Sequence, residues 1–235
     1  MYEQQKICIF IYTIIMIQCA VTMTVTWIKV KKTPVVYSLL ATQFFILLWL
    51  LFGAFEVQST NTEEMLFAVR FTLFPICMIS GAWLIFVLSY LGIMNPANYK
   101  MVVFIMLPLI ITYLPALTND YFHLMILEKN IETHGTTMWG MFFNINLRFS
   151  YVYMLMSIIL LARHAYQTKG KARKKSLAIL VGTLLSLIMN ILTGLKIMLD
   201  IGFDWTPISF SLLLLFISVA IFKYDLFQLV HKASM

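Results

Sequence analysis

The chain has 235 residues, of which 61% are hydrophobic and 11% charged. Apolar residues normally make up about half of a soluble globular chain, so a soluble domain is excluded and lipid is the solvent for most of this sequence. The formal net charge of +7 would suit a nucleic-acid binder, but the placement of the basic residues assigns it to membrane orientation.

A helix crossing the hydrocarbon core needs about 20 apolar residues. Seven stretches qualify, at about 7–28, 35–55, 65–91, 101–117, 141–162, 177–198 and 205–222. The first resembles a signal peptide, but Lys29, Lys31 and Lys32 follow it rather than precede it, and its length suits a retained span. Pro34 is suited to the first turn of the second span. Pro75 falls inside the third, and Pro108 and Pro115 inside the fourth; proline removes a helical hydrogen bond and bends the helix. Residues 118–140 form the longest connection, with room for a small element of its own. Residues 223–235 form a tail. With no linker, low-complexity tract or internal repeat, the chain reads as one all-α, polytopic seven-transmembrane helix bundle over 1–235.

Charge sets the orientation. The loops after the first, third and fifth spans and the tail hold twelve of the seventeen basic residues and one acid, Asp225. The other nine acids lie toward the opposite side. By the positive-inside rule the N-terminus is outside and the C-terminus cytoplasmic, and the basic loops face anionic headgroups. Nucleic acid is not expected as a partner.

No catalytic constellation emerges: there is no G-x-S-x-G, no H-E-x-x-H and no glycine-rich phosphate loop. His123 and His134 share the long loop with Asp120 and Glu132 but match no compact ligand spacing, so no metal is expected. A retinal protein is excluded because the last span carries no lysine before Lys223. No cofactor is expected. Cys8, Cys19 and Cys77 sit in apolar runs and read as small buried hydrophobes.

Ionisable residues drawn into a membrane are costly and default to function. Arg70, Arg148 and Lys196 fall at similar depth near the outer interface, with Glu56 closing the second span. Asn144 and Arg148 are four apart and share a helix face. Two uses of this set stand side by side. The charges pair with one another and snorkel to the interface, or they line a pocket in which Arg70, Arg148 and Lys196 hold an anionic group with Asn144 and Glu56 orienting it. The deeper Gln18, Gln43, Ser80 and Asn190 read first as interhelical hydrogen-bonding groups.

Three stretches carry a likeness: "GAWLIFVLSYLG", "LPALTNDYFHLM" and "DWTPISFSLLLLFISVAIFKYDLFQLV". Trp83, Leu84, Phe86, Leu88, Tyr90 and Gly92, then Thr118, Asn119 and His123, then Asp204, Thr206, Pro207, Ile208, Phe222, Tyr224, Leu226 and Phe227 match in turn. Together they resemble the N-terminal seven-transmembrane sensor region of prokaryotic histidine kinases, found also on some diguanylate cyclases. Where that family often carries a proline after the last of these runs, this chain has His231. The resemblance implies a sensor input in a prokaryotic inner or plasma membrane. It also implies a homodimer, a cytoplasmic kinase or cyclase module as output, and no enzyme activity within these residues, which hold no phospho-acceptor helix or ATP-binding domain. The ligand it would sense is small, extracellular or membrane-derived. Phe222, Leu226, Phe227 and Val230 keep helical spacing, which makes Tyr224, Asp225 and Phe227 the expected output segment. A transporter, or an accessory membrane protein acting through a partner, is the competing class.

Overall fold

The computed structural model describes residues 2–95, 97–128, 138–194 and 206–222. Each apolar run has become a helix, because lipid offers the backbone no hydrogen-bond partners and a helix satisfies every peptide group within itself. The helices are α1 (Tyr2–Lys29), α2 (Pro34–Gln58), α3 (Thr62–Tyr90), α4 (Tyr99–Tyr113), α5 (Asn119–Phe122), α6 (Met141–Gln167), α7 (Gly170–Gly194) and α8 (Thr206–Phe222). Among the described residues six segments, Gln5–Lys29, Pro34–Gln58, Thr62–Tyr90, Tyr99–Thr118, Met141–Gln167 and Gly170–Thr193, are long and apolar enough to cross a membrane. α8 spans 17 described residues, about 26 Å of helix, somewhat short of a hydrocarbon core of about 30 Å.

The helix ends differ from the apolar runs where polar residues continue the helix. α7 begins at Gly170, so the basic stretch of Lys171, Arg173, Lys174 and Lys175 forms its first turns; Lys and Arg are good helix formers even where they are too polar for lipid. α4 gives way at Leu114 to a 3-10 turn, Leu114–Thr118, with Pro115 in its first positions. Proline donates no backbone hydrogen bond and crowds the preceding turn, which favours that tightening.

Local chemistry fixes the turns. Thr33 caps α2 ahead of Pro34 and accepts from the Val36 amide. Asn61 caps α3 by accepting from the Glu64 amide at 2.9 Å, while the Glu64 carboxylate accepts from the Thr60 amide and hydroxyl, a variant of the capping box. α3 ends in a Schellman motif: Gly92 has φ +70, its amide donates to Ser89 O, and the Ile93 amide donates to Leu88 O.

The long connection holds a small element that composition alone does not specify. β1 (Ile126–Glu128) pairs antiparallel with β2 (Met138–Trp139). Asn119 secures it: its Oδ1 accepts from the Met125 and Ile126 amides at 2.8 and 2.9 Å, and its Nδ2 donates to Ile126 O. Asn119→Ala leaves these buried backbone groups unpartnered. A loss of about 1–3 kcal/mol is expected, read as a lower thermal midpoint in detergent.

α3 is the most enclosed helix, with Met65 through Ser89 contributing seventeen buried residues. Around it, α1 packs on α2 and α8, α2 on α3, α3 on α6, α6 on α7, and α7 on α8, while α4 lies in the groove between α3 and α6. Apolar side chains that face lipid, such as Phe10 on α1, Phe104 on α4 and Ile159 on α6, are exposed. Cys8, Cys19 and Cys77 are buried, and no disulfide joins them among the described residues.

Candidate functional site

The ring of helices does not close completely at its centre. It leaves a cavity of about 90 Å³ lined by α2, α3, α6, α7 and α8, room for several waters or a small molecule. Apolar walls come from Trp49, Ile76, Ile79, Leu187 and Phe210. Between them stand Thr42, Ser80, Asn146, Ser150, Tyr151, Ser186, Asn190, Thr206 and Ser209. No Lys, Arg, Asp or Glu lines it among the described residues. Its α6 residues come from the first half of α6 and its α8 residues from the start of α8, while its α3 residues, Ile76 to Trp83, come from the second half of α3, so it lies in the middle of the bundle, between the basic loops and the opposite side.

Most of its polar groups are engaged with one another. The Ser80 hydroxyl donates to Ser150 Oγ at 2.9 Å, and the Asn146 amide donates to Thr112 Oγ1 at 2.7 Å. The Tyr151 hydroxyl donates to Asn190 Oδ1 at 3.1 Å, and Ser186 donates to Ser209 O. These bonds join α3, α4, α6, α7 and α8 around one space, as expected where lipid cannot drive helices together and polar groups hold them. Trp83 is the exception. It lines the cavity at 2% exposure, and among the described residues its Nε1 has no hydrogen-bond partner. A buried donor left unmade costs about 1–3 kcal/mol, so a cavity occupant that accepts a hydrogen bond there is favoured. The Gln43 amide is also buried and unpartnered among the described residues, but it does not line this cavity.

An aromatic ladder leads from the cavity toward the basic end. Trp83 and Phe86 have ring centroids 5.1 Å apart, Phe86 stacks on Tyr90 at 6.3 Å, and Tyr90 meets His164 edge-on at 6.0 Å. There Tyr90 Oη and His164 Nδ1 both bond Ser176 Oγ, at 3.0 and 2.7 Å, which ties α3, α6 and α7 together. The spacing 83, 86, 90 is one helix face, so the aromatic positions of the "WLIFVLSY" run share a structural reason.

Of the residues singled out from sequence, Lys196, Tyr224, Asp225 and Phe227 lie outside the described residues. Arg148 is exposed, while Arg70 and Glu56 are half-buried; none of the three lines the cavity. Asn144 turns back to the start of α6, its amide donating to Gly140 O at 3.0 Å. The α6 pair on the cavity is instead Asn146 and Ser150, also four apart, on a different face from Asn144 and Arg148. Ser80 and Asn190, read first as interhelical bonders, both bond across helices and line the cavity. Trp83, Asn146, Tyr151, Ser186 and Ser209 were not singled out as site residues. Their common signal is a polar or indole group deep in an apolar run, which sequence cannot separate from a helix-packing contact. Asn119 builds the loop, Thr118 ends the 3-10 turn without a side-chain capping bond, and His123 takes the left-handed conformation, φ +49, that ends α5.

No curated protein and no solved structure matches this chain. The family described as the N-terminal 7TM region of histidine kinase matches residues 11–230, nearly the whole sequence, with the Trp83–Tyr90 ladder, the Asn119 turn and the Thr206 end of α8 all inside it. The chain therefore belongs to the family of N-terminal membrane regions of histidine kinases.

Proposed function

We propose that this chain is a membrane-embedded sensing domain that takes a small ligand in the cavity around Trp83 and passes its occupancy to the helix beyond the last span. The observation that carries the reading is the cavity itself: five helices meet on one space, and a buried indole donor there has no partner among the described residues. A ligand there touches groups that hold the helices in register, and it can shift an equilibrium only through such differential contacts. The ladder from Trp83 to Tyr90 and His164 supplies a contiguous route to the basic end. In this reading α8 is the seventh crossing and the N-terminus is outside. The basic loops face the cytoplasm of a prokaryotic inner or plasma membrane, and Tyr224, Asp225 and Phe227 carry the signal to a kinase or cyclase module within a homodimer.

A second arrangement places an anionic ligand on Arg70, Arg148 and Lys196, with Asn144 and Glu56 orienting it. It is favoured by Arg70 and Arg148 lying on directly packed helices, α3 and α6. One experiment separates the two. Small molecules retained by the purified protein are compared by mass spectrometry for wild type, Ser150→Phe, which fills the cavity, and Arg70→Ala with Arg148→Ala. Loss of a retained compound at Ser150→Phe alone is the expected result. Loss in the double arginine variant alone moves the ligand to the outer cations. Flux of the same compound across reconstituted vesicles would make the protein a transporter.

A further inference from the structure

A second, larger recess lies on the lipid side of the bundle, between α2 and α4. Both helices pack on α3, and between them they leave an apolar groove of about 420 Å³. Its floor is Ala82 and Ile85 of α3. On α2 it follows a single stripe, from Pro34 through Tyr37 and Ala41 to Phe45, and Met106 of α4 forms the facing wall. The small side chains of Ala41 and Ala82 are what leave the space open. Ala82 and Trp83 are consecutive, so α3 presents this groove and the sensing cavity on adjacent faces without merging them.

The groove has the dimensions of one leaflet. From Pro34 to Phe45 the helix rises about 16 Å, roughly half of a hydrocarbon core of about 30 Å. Its last lining residue on α2 is Phe45, near mid-membrane, and beyond it the rings continue in edge contact: Phe45 meets Phe74 of α3 at 5.8 Å, and Phe74 meets Tyr113 of α4 at 5.3 Å. At the other end it reaches the basic side of the bundle. Lys31 and Lys32 just precede Pro34, Lys100 just follows Ala97, and all three lysines are exposed. No Asp or Glu occurs between Glu3 and Glu56 or between Glu64 and Asp120, so neither loop carries an acid. Trp27 and Tyr37 meet edge-on beside this mouth, and Lys32 Nζ stands 3.8 Å over the Trp27 ring, the aromatic and cationic setting of a headgroup layer.

We infer that this groove is a binding site for one anionic phospholipid, with an acyl chain lying between α2 and α4 along Ala41 and Ala82 and the phosphate at Lys31 and Lys100. The apolar walls select a chain, the reach of the groove to Phe45 sets its depth, and the acid-free lysines select the negative headgroup. The site is independent of the sensing cavity and of what that cavity binds.

The test uses the full chain, purified and examined by native mass spectrometry in detergent containing equal amounts of phosphatidylglycerol and phosphatidylcholine. One retained phosphatidylglycerol is expected, preferred about tenfold over phosphatidylcholine. Lys31→Gln combined with Lys100→Gln is expected to bring the preference close to one. Ala41→Trp, at an exposed position on the groove wall, is expected to abolish retention of both lipids. Size exclusion and helical circular dichroism establish that each variant is folded. Equal retention of the two lipids by wild type overturns the headgroup selection. Unchanged retention in folded Ala41→Trp overturns the groove as the seat of the chain.

Discussion

Gly140→Ala is expected to destabilise this protein more than the same change at any other described glycine, by about 3 kcal/mol or more. Gly140 is the N-cap of α6, and its amide donates to Met125 O at 2.9 Å. A Cβ built at this position runs into the backbone carbonyl of Leu124, with the Met125 nitrogen 2.9 Å away. A clash with a flexible side chain relaxes by rotation. Here the obstacle is main chain that Asn119 already holds by three hydrogen bonds, so the start of α6 must move instead. Phe143 and Asn146, both on the cavity, lie within the next two turns. The substitution should therefore lower the thermal midpoint and disturb ligand retention together. Gly81→Ala is the fitting comparison. Its Cβ would stand 2.6 Å from Leu109 Cδ1 and 2.8 Å from Met106 Sδ, both ends of flexible chains, and a smaller loss is expected. Equal losses for the two substitutions would remove the distinction between rigid and yielding neighbours.

Trp83 should divide stability from sensing. Trp83→Ala removes one of the largest fully buried side chains and should cost about 3–5 kcal/mol. Trp83→Phe keeps an aromatic ring in contact with Phe86 and removes only the indole N–H and some volume. Because that N–H has no partner among the described residues, its removal relieves a desolvation penalty that offsets part of the lost packing, and stability within about 1 kcal/mol of wild type is expected. If the occupant accepts a hydrogen bond from Nε1, the same change should still weaken ligand retention by about tenfold, the equivalent of one good hydrogen bond. Thermal unfolding and ligand retention on the same preparations provide the check. A Trp83→Phe protein as stable as wild type that retains its ligand undiminished would place the ligand away from the indole. A large stability loss would mean that the ring edge packs more tightly than the unmade bond implies.

The two charge-poor spaces of this bundle share a logic. Both arise where α3 meets its neighbours through small or polar residues rather than interlocking large ones: Ser80 at the central cavity, Ala82 at the lipid-facing groove. α3 buries seventeen of its residues while Phe67, Phe71 and Phe74 stay exposed, so side chains on its different faces report on different partners. The ladder from Trp83 to Tyr90 then joins the central space to the Ser176 node, where α3, α6 and α7 meet.

What the sequence determined by itself is the class of the molecule. Its apolar fraction demands lipid, and runs of about twenty apolar residues become helices, because in hydrocarbon no other open-chain conformation satisfies the backbone. Cap and stop residues such as Thr33, Asn61 and Gly92 act within one turn of chain, so helix ends at those positions are also local information. The likeness of the Trp83–Gly92, Thr118–His123 and Asp204–Phe227 runs to histidine-kinase sensor regions was likewise readable before any fold, and the family match over residues 11–230 agrees with it. Which polar groups meet was decided by tertiary structure. Asn144 with Arg148 and Asn146 with Ser150 have the same spacing on the same helix, and nothing along the chain says which pair turns toward α3 and α7. Helix rotation is set by packing against neighbours distant in sequence: Ser80 is seventy residues from Ser150, and Tyr151 thirty-nine from Asn190. Arg70, Arg148, Lys196 and Glu56 stand out along the chain because a charge in a membrane is conspicuous from composition alone. A neutral cavity has no such signature, since a serine that lines a space and a serine that bonds the turn above it are the same letter, and only the arrangement of five helices around Trp83 tells them apart.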